Sequence, residues 1–399
     1  MPHPSQTPLE IAIAGAGPVG MTLALGLAMD GHNVTVHEEL DGLSTESRAS
    51  TFHPSTLEEL AAYGVVEDLE REGLRVPDYQ YRDRREGLIA RLDFSLIRGL
   101  TKFPYRIQVE QSYLTRVILG KLAAHPNATV RFGSKVTAAR TVGARAEYTV
   151  VRAGAARTET ADYVVAADGA SSAVRKSLGI GFEGMTYPER YIVASTTFEF
   201  REVMPDISWV NYISDPDEWL LMLRTPHYWR IMFPLGPDED DDRASSSAEI
   251  QRRLHGVHAL DGDFPVLHTT VYRVHQRVAD TYAAGRIALA GDAAHINNPL
   301  GGLGMNSGLF DAFALRAAFA EAAAGADGVA LLAKYAEQQR DISVEYVGAQ
   351  TDRNWKQLRE SDPQRRRAQA MRMRDIVADP EAHRRFLLRS SMLERRLAA

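Results

Sequence analysis

Cysteine is absent from the 399-residue chain. That removes disulfides, thiolate zinc sites, iron–sulfur clusters and thiol nucleophiles, and it excludes a disulfide reductase. An excess of positive charge is missing as well: 46 Lys and Arg stand against 52 Asp and Glu, a formal charge of -6. With no overall positive field to hold a polyanion, no nucleic-acid partner is expected. Lys and Arg are missing altogether before Arg48. The uncharged run 11–29 therefore lacks the basic flank of a signal peptide or membrane anchor, and Gly15, Gly17, Pro18 and Gly20 interrupt it. No stable membrane association is expected, and the thiol-free composition is compatible with a reducing cytoplasm.

What is present is a large apolar fraction, 45%, over a length that predicts two lobes at roughly 100–200 residues per domain. After the prolines Pro2, Pro4 and Pro8, residues 9–14 read as a short buried strand ended by Gly15. Residues 19–29 read as a helix stopped by Asp30-Gly31, and 33–37 alternate with β-branched residues as a second strand, which completes a βαβ unit. Helical spacing recurs over 56–63 and 113–124. Between 128 and 165, alternating runs around 129–132, 148–151 and 163–165 predict a small β-meander. From 191 to 234, Trp, Tyr, Phe and β-branched residues predict a second, antiparallel sheet. The acidic run 238–242 reads as a solvated loop, with a cation site as the alternative, and no metal is assigned. Residues 287–290 form another apolar strand. Beyond it the chain becomes helical and, from 336 on, rich in Arg, as at 365–367, Arg384-Arg385 and Arg395-Arg396.

Three segments carry chemistry. Gly15, Gly17, Pro18, Val19 and Gly20 lie in a GxGxxG turn between strand and helix, where backbone amides can approach a pyrophosphate at the helix N-terminus. Glu38, 18 residues after Gly20 at the end of the second strand, is placed to accept hydrogen bonds from a ribose. A dinucleotide therefore binds, and the motif alone does not separate NAD from FAD. The second segment, Asp168-Gly169 followed by Arg175, could be a tight turn and decides little by itself. The third runs from Gly291-Asp292 through His295, Asn298 and Pro299 to Gly301, Gly302, Leu303, Gly304, Met305, Asn306 and Gly308. A carboxylate at a strand end can bind a ribityl hydroxyl, and a glycine-rich helix start can offer amides to a reduced isoalloxazine.

In order, GxGxxG with Glu38, Arg48-Ala49, Asp168-Gly169 and Gly291-Asp292 make the chain resemble the class A FAD-dependent aromatic hydroxylases, relatives of para-hydroxybenzoate and 3-(3-hydroxyphenyl)propionate hydroxylases. The resemblance implies an α/β fold: a Rossmann-like FAD-binding domain, an interleaved antiparallel substrate domain and C-terminal helices. It assigns 1–75, 101–180 and 281–399 to the first domain, and 76–100 and 181–280 to the second. It further implies that Glu38 binds the adenosine ribose, Arg48 lies along the phosphate and ribityl region, Gln111 contacts the flavin and Val136 gives backbone contacts to the adenine. Asp168 and Arg175 would connect the FAD site with transient NAD(P)H docking, Asp292 would hold the ribityl chain, and Pro299 with Gly302, Leu303, Gly304, Met305 and Asn306 would frame the ring. Two departures are Glu39, where relatives often have Arg, and Leu303, where GQG is common.

The implied reaction is NAD(P)H reduction of FAD, capture of O2 as a flavin C4a-hydroperoxide, and transfer of oxygen to a small electron-rich aromatic of phenolic or hydroxypyridine type. Tyr212, Arg224, His227 and Trp229 are candidates for gripping the substrate. His295 is a candidate base or, better, an orienting group, and His53 a further one. Flavin-dependent halogenases are the alternative enzyme class, but 229–234 lacks the second tryptophan of WxWxIP. A non-hydroxylating redox sensor is the alternative without such chemistry. The enzyme is expected as a monomer or homodimer.

Overall fold

Five short apolar runs lie parallel at the centre of one domain in the computed structural model, which describes residues 7–46 and 48–394. Pro2, Pro4 and Arg395-Arg396 fall outside the described residues. The sheet order is Ala283–Ala284, Ile287–Leu289, Tyr163–Ala166, Glu10–Ala14, Asn33–His37 and Ala128–Arg131, with only the first pair antiparallel. Ile11, Ala12, Ile13 and Ala14 are all buried, because a central parallel strand is covered on both faces and reads as a continuous apolar run. The helix Pro18–Met29 is apolar on all sides for the same reason: it is wedged among the sheet and the helices Gln111–Leu122 and Leu303–Ala323.

Residues 129–132 and 163–165 do not belong to a meander. Ala128–Arg131 and Tyr163–Ala166 are strands of the parallel sheet, and the true meander is Ser134–Val142, Arg145–Arg152 and Ala155–Ala161. Four-residue apolar runs fit a hairpin or a buried parallel strand equally well, so periodicity could not separate them.

The second sheet has eight strands in the order His295–Ile296, Val266–Ala279, Phe182–Thr196, Trp229–Leu235, Leu220–Arg224, Val210–Ser214, Asp78–Asp83 and Gly87–Asp93. All pairs are antiparallel except Val210–Ser214 with Asp78–Asp83. Alternation divides it into two buried faces. Tyr79, Tyr81, Tyr191, Tyr212, Leu221 and Met232 share one core with Leu300 of the glycine-rich segment and with Trp355, Leu358 and Leu387 of the C-terminal helices. This is the near face. Ile192, Met222, Trp229, Ile231 and Phe233 point the other way, into a core with Phe200 and Leu254, the far face.

A small sheet of Thr51–Phe52, Arg106–Gln108 and Leu74–Val76 lies outside the two large ones. The acidic run is in part a helical turn rather than a loop: Asp240 caps Asp241–Ala244, and Asp241 pairs with Arg190. Among the described residues no group of three His, Asp or Glu is arranged to hold a metal, and no helix is long and apolar enough to cross a membrane.

Candidate active site

The parallel strands end together, and the motifs follow from that register. Ala14 pairs with both Ala166 and His37, and Ala166 pairs with Leu289, so Gly15, Glu38, Asp168 and Asp292 all emerge at one carboxyl edge. Ligands of open α/β sheets bind there. Gly15 has φ +101°, and a Cβ on it would lie 2.3 Å from the Ala167 carbonyl oxygen, so the turn admits only glycine. A Cβ on Gly17 would meet nothing within 4 Å. That open side, at a helix start that no side chain caps, fits a pyrophosphate laid against backbone amides. The Glu38 carboxylate accepts the Ala16 N–H at 2.7 Å and the Leu40 N–H at 3.0 Å, which locks the turn to the second strand and leaves lone pairs for a ribose. The Ser134 amide donates to the Glu38 carbonyl, which brings the strand carrying Val136 alongside. Glu39 is exposed and pairs with Lys135.

Arg48 is exposed, paired with Glu46, and its charge opposes the burial that raises the Asp292 pKa. The Ala49 carbonyl accepts the Gln111 N–H at 2.9 Å, so these two segments meet. Asp168 accepts the amides of Ala173 and Val174 at the start of the next helix, whose cap is Ser172, while its other oxygen is buried without a partner; burial raises its pKa. Arg175 is buried. It donates to the carbonyls of Ala170 and Ala293, both at 2.8 Å, and lies over the Phe182 ring, so it braces the Asp168 turn against the Asp292 turn.

Asp292 is open to water yet enclosed by protein on most sides, as a carboxylate on the wall of a crevice would be. Gly291 has φ +59°, and Val19 fills the space beside it and beside Gly308, where an added Cβ would come within 2.9 and 2.8 Å of the Val19 side chain. One valine thus holds three separated glycine segments together. Asp311 is buried and accepts both the Gly291 N–H at 2.8 Å and the His295 Nε2–H at 2.9 Å. Burial alone would lower the His295 pKa; Asp311, with Asp292 behind it, outweighs burial and raises it. His295 is thus buried and held by the Asp311 carboxylate.

The helix Leu303–Ala323 starts at Gly302, with φ +68° and no side-chain cap. Pro299 offers its carbonyl to the Gly302 amide. The Asn306 side chain is fully used in pinning the turn: it accepts from His53 N and Thr56 Oγ1 and donates to the carbonyls of Thr51 and Gly302. Leu303 packs with Val347 and Met392, so the departure from GQG places an apolar side chain in a C-terminal core and leaves the backbone amides in place. Met305 is buried in the parallel-sheet core, and Gly304 is half-buried beside Asn297. The open side at Gly17, the two helix starts without a side-chain cap and the accessible Asp292 fit FAD.

Of the four substrate candidates, only Tyr212 lies on the near face. It stacks on Tyr81 at 5.3 Å between ring centroids, and its phenol is within reach of the Gly301 backbone. Arg224 and Trp229 are corrections: both turn to the far side and spend their donors on Glu199. His227 is exposed in the turn between them. The aromatic and β-branched composition of 191–234 predicts the sheet but not which of its faces meets the glycine segment. Two arginines were missed. Arg230, one residue out of step with Trp229, donates to the Arg48 carbonyl at 2.6 Å. Arg106 is buried against the Tyr79 ring, 4.2 Å from its centroid, and Phe94, 5.4 Å away; its Nε and Nη1 have no partner. A single arginine in an apolar run carried no signal in the sequence. A separate cavity of about 240 Å³, bounded by Tyr81, Leu358 and Met373, lies under the C-terminal helices, away from the carboxyl edge.

An edge of this construction defines a flavin-dependent oxidoreductase. The family model described as FAD binding domain matches residues 8–349, and the chain belongs to that family. It is 30% identical over 388 residues to para-nitrophenol 4-monooxygenase from Pseudomonas sp. (strain WBC-3), covering 95% of this chain and 94% of that one. It is also 30% identical to 6-hydroxy-3-succinoylpyridine 3-monooxygenase of Pseudomonas putida (strain DSM 28022 / S16), over 95% and 99% of the two chains. The crystal structure of p-nitrophenol 4-monooxygenase from Pseudomonas putida DLL-E4 superposes with a TM-score of 0.90 at 29% identity, over 96% of this chain and 97% of that one. The protein is a class A flavoprotein aromatic hydroxylase, a monooxygenase with FAD as its cofactor.

Proposed function

We propose that the enzyme uses NAD(P)H and O2 to hydroxylate a small phenolic or hydroxypyridine-type aromatic. The observation that carries this reading is the contact between the aromatic near face, through Tyr212, and the glycine segment at Gly301. The names of the two relatives, a nitrophenol and a hydroxypyridine monooxygenase, support the same ring classes. Bound FAD supplies the redox chemistry, taking electrons from NAD(P)H and delivering one atom of O2 to the ring.

The chain's own groups bind, orient and exclude water. Residues 1–75, 101–180 and 281–399 hold the FAD, and 76–100 with 181–280 receive the substrate. The amides from Gly15 to Gly20 take the pyrophosphate, Glu38 the ribose and Asp292 the ribityl chain. Amides of 302–306 face the ring, with Arg48, Gln111 and Val136 along the cofactor. Asp311 and His295 position the Asp292 turn, and Arg175 ties it to the Asp168 turn, through which nicotinamide docking would act. The Tyr79, Tyr81 and Tyr212 cluster keeps the ring's surroundings dry, which matters because water diverts activated oxygen to peroxide.

The test is a panel of phenols and hydroxypyridines scored for stimulated NAD(P)H oxidation and for product mass. A compound that accelerates oxidation and gains one oxygen atom is the expected result. If no member of either ring class stimulates oxidation of the FAD-loaded enzyme, the reading is wrong.

A further inference from the structure

We propose that Arg106 is the anion-binding group of the substrate chamber, so that the ring to be hydroxylated is held through an oxyanion against this guanidinium. The inference rests on the hydroxylase reading and specifies its substrate. Arg106 is 2% exposed, and neither Nε nor Nη1 has a hydrogen-bond partner. Among the described residues every other buried arginine has an oxygen acceptor, although Arg230 too leaves its Nε unmet. Arg253 reaches Glu218, Glu239 and Glu249; Arg82 reaches Gln80 and Asp206; Arg190 reaches Asp241; Arg175 and Arg230 reach carbonyl oxygens. A buried cation with unmet donors is costly, and an anion arriving from outside would relieve that cost. The rings of Tyr79 and Phe94 offset part of that cost through their faces, and the phenols of Tyr79 and Tyr212 lie within hydrogen-bond reach of the guanidinium, but Nε and Nη1 stay without an acceptor.

The groups around it point to a ligand of one kind. Tyr79 and Tyr81 come from Asp78–Asp83, Tyr212 from Val210–Ser214 and His53 from the start of the helix Pro54–Ala61; each feels the Arg106 charge, and none is an acid. Burial raises the three phenols, which keeps them protonated and unable to serve as counter-ions. The walls are aromatic, so the guest is a ring, and the missing partner is an oxygen anion. A ring oxyanion answers both demands, and it also gives the carbon framework the electron density that oxygen transfer requires. The guanidinium and Gly301 flank the same Tyr212 phenol, which sets the anion subsite one side chain from the flavin segment.

The experiment titrates the FAD-loaded enzyme with 4-nitrophenol and with its methyl ether, 4-nitroanisole, and follows the flavin absorbance change without NAD(P)H. At mildly alkaline pH the phenolate is expected to bind at least about tenfold more tightly than the ether, and the preference to shrink where the phenol is protonated. Arg106→Met should abolish the preference with FAD content unchanged, and Arg106→Lys should keep part of it. Equal binding of phenol and ether by the wild-type enzyme overturns the assignment. So does full preference in Arg106→Met, which would make Arg106 a structural cation on two rings. Should Arg106→Met fail to fold, the wild-type pair of titrations still decides. The readout needs no turnover, so an intact anion preference without hydroxylated product would indict the hydroxylase reading and spare this one.

Discussion

On the far face of the eight-stranded sheet, Phe200, Phe264, Trp229 and Phe233 fill a core in which polar atoms are matched, with Trp229 Nε1 and Arg224 Nε both donating to Glu199. On the near face, Tyr79, Tyr81 and Tyr212 are as thoroughly buried, but the Nε and Nη1 donors of Arg106 beside them have no acceptor. Both faces are aromatic and dry. Aromatic content therefore does not tell the two faces apart; unmet hydrogen-bonding capacity does, because a finished core satisfies its polar groups, whereas the proposed chamber would leave some for its guest.

The largest effect should come from the finished face. Trp229→Ala is expected to cost about 3–5 kcal/mol of stability through cavity formation and the loss of its bond to Glu199. Chemical denaturation of the FAD-loaded protein checks it, with FAD affinity unchanged in the folded fraction. A variant that kept its stability but released FAD would break the comparison. Next comes the carboxyl edge, where Asp292→Ala should weaken FAD binding by about 1.5–3 kcal/mol through loss of a charge-assisted hydrogen bond. Flavin fluorescence on dilution measures this, and full retention of FAD would remove Asp292 from the cofactor site.

The carboxyl edge was legible in the sequence and the near face was not, and the reason is physical. Gly15 at φ +101° and Gly291 at φ +59° occupy backbone conformations that dictate a residue type, so they leave a trace in one chain. The βαβ periodicity likewise located the strand ends from which Glu38 and Asp292 emerge. Arg106 leaves no such trace, since its meaning lies in the acceptors it lacks, and these can be counted only once Tyr79, Phe94 and Tyr212 are folded around it. Arg224 and Trp229 are one residue out of phase with the near face, and a sheet buried on both sides carries two aromatic stripes of equal appearance in the sequence. Leu303 shows the converse: at this departure from the expected pattern the side chain turns into the core with Val347 and Met392.

A smaller effect separates two histidines at the flavin segment. Burial, helped by Arg106, pulls the His53 pKa well below 6.5, whereas Asp311 lifts that of His295 above it. A depressed folded value means that neutral His53 contributes stability above pH 6.5, and the contribution is lost as pH falls toward its folded pKa. A raised folded value means that His295 contributes fully below pH 6.5 and loses its contribution as pH rises through its folded pKa. His53→Gln should therefore flatten the acid limb of the stability profile, and His295→Gln the alkaline limb. Denaturation midpoints across pH read both, and identical profiles for the two variants would refute the assignment.

The smallest stability change sharpens the comparison most. Tyr212→Phe removes one hydroxyl beside Arg106 and Gly301 and is expected to cost about 0.5–1.5 kcal/mol, and Arg224→Met on the other face a similar amount. Their effects on turnover should differ. Losing the Tyr212 hydroxyl loosens the wall between the guanidinium and the flavin segment and admits water, so a larger share of oxidised NAD(P)H should appear as hydrogen peroxide in place of product. Arg224 donates to Glu199 and the Thr225 carbonyl, behind a full layer of sheet, so its loss should leave the product-to-NAD(P)H ratio unchanged. Peroxide and product measured in the same reaction test this directly. Equal uncoupling by both variants would mean that the two faces communicate through the strands, and the separation drawn between a finished core and a receiving chamber would fail.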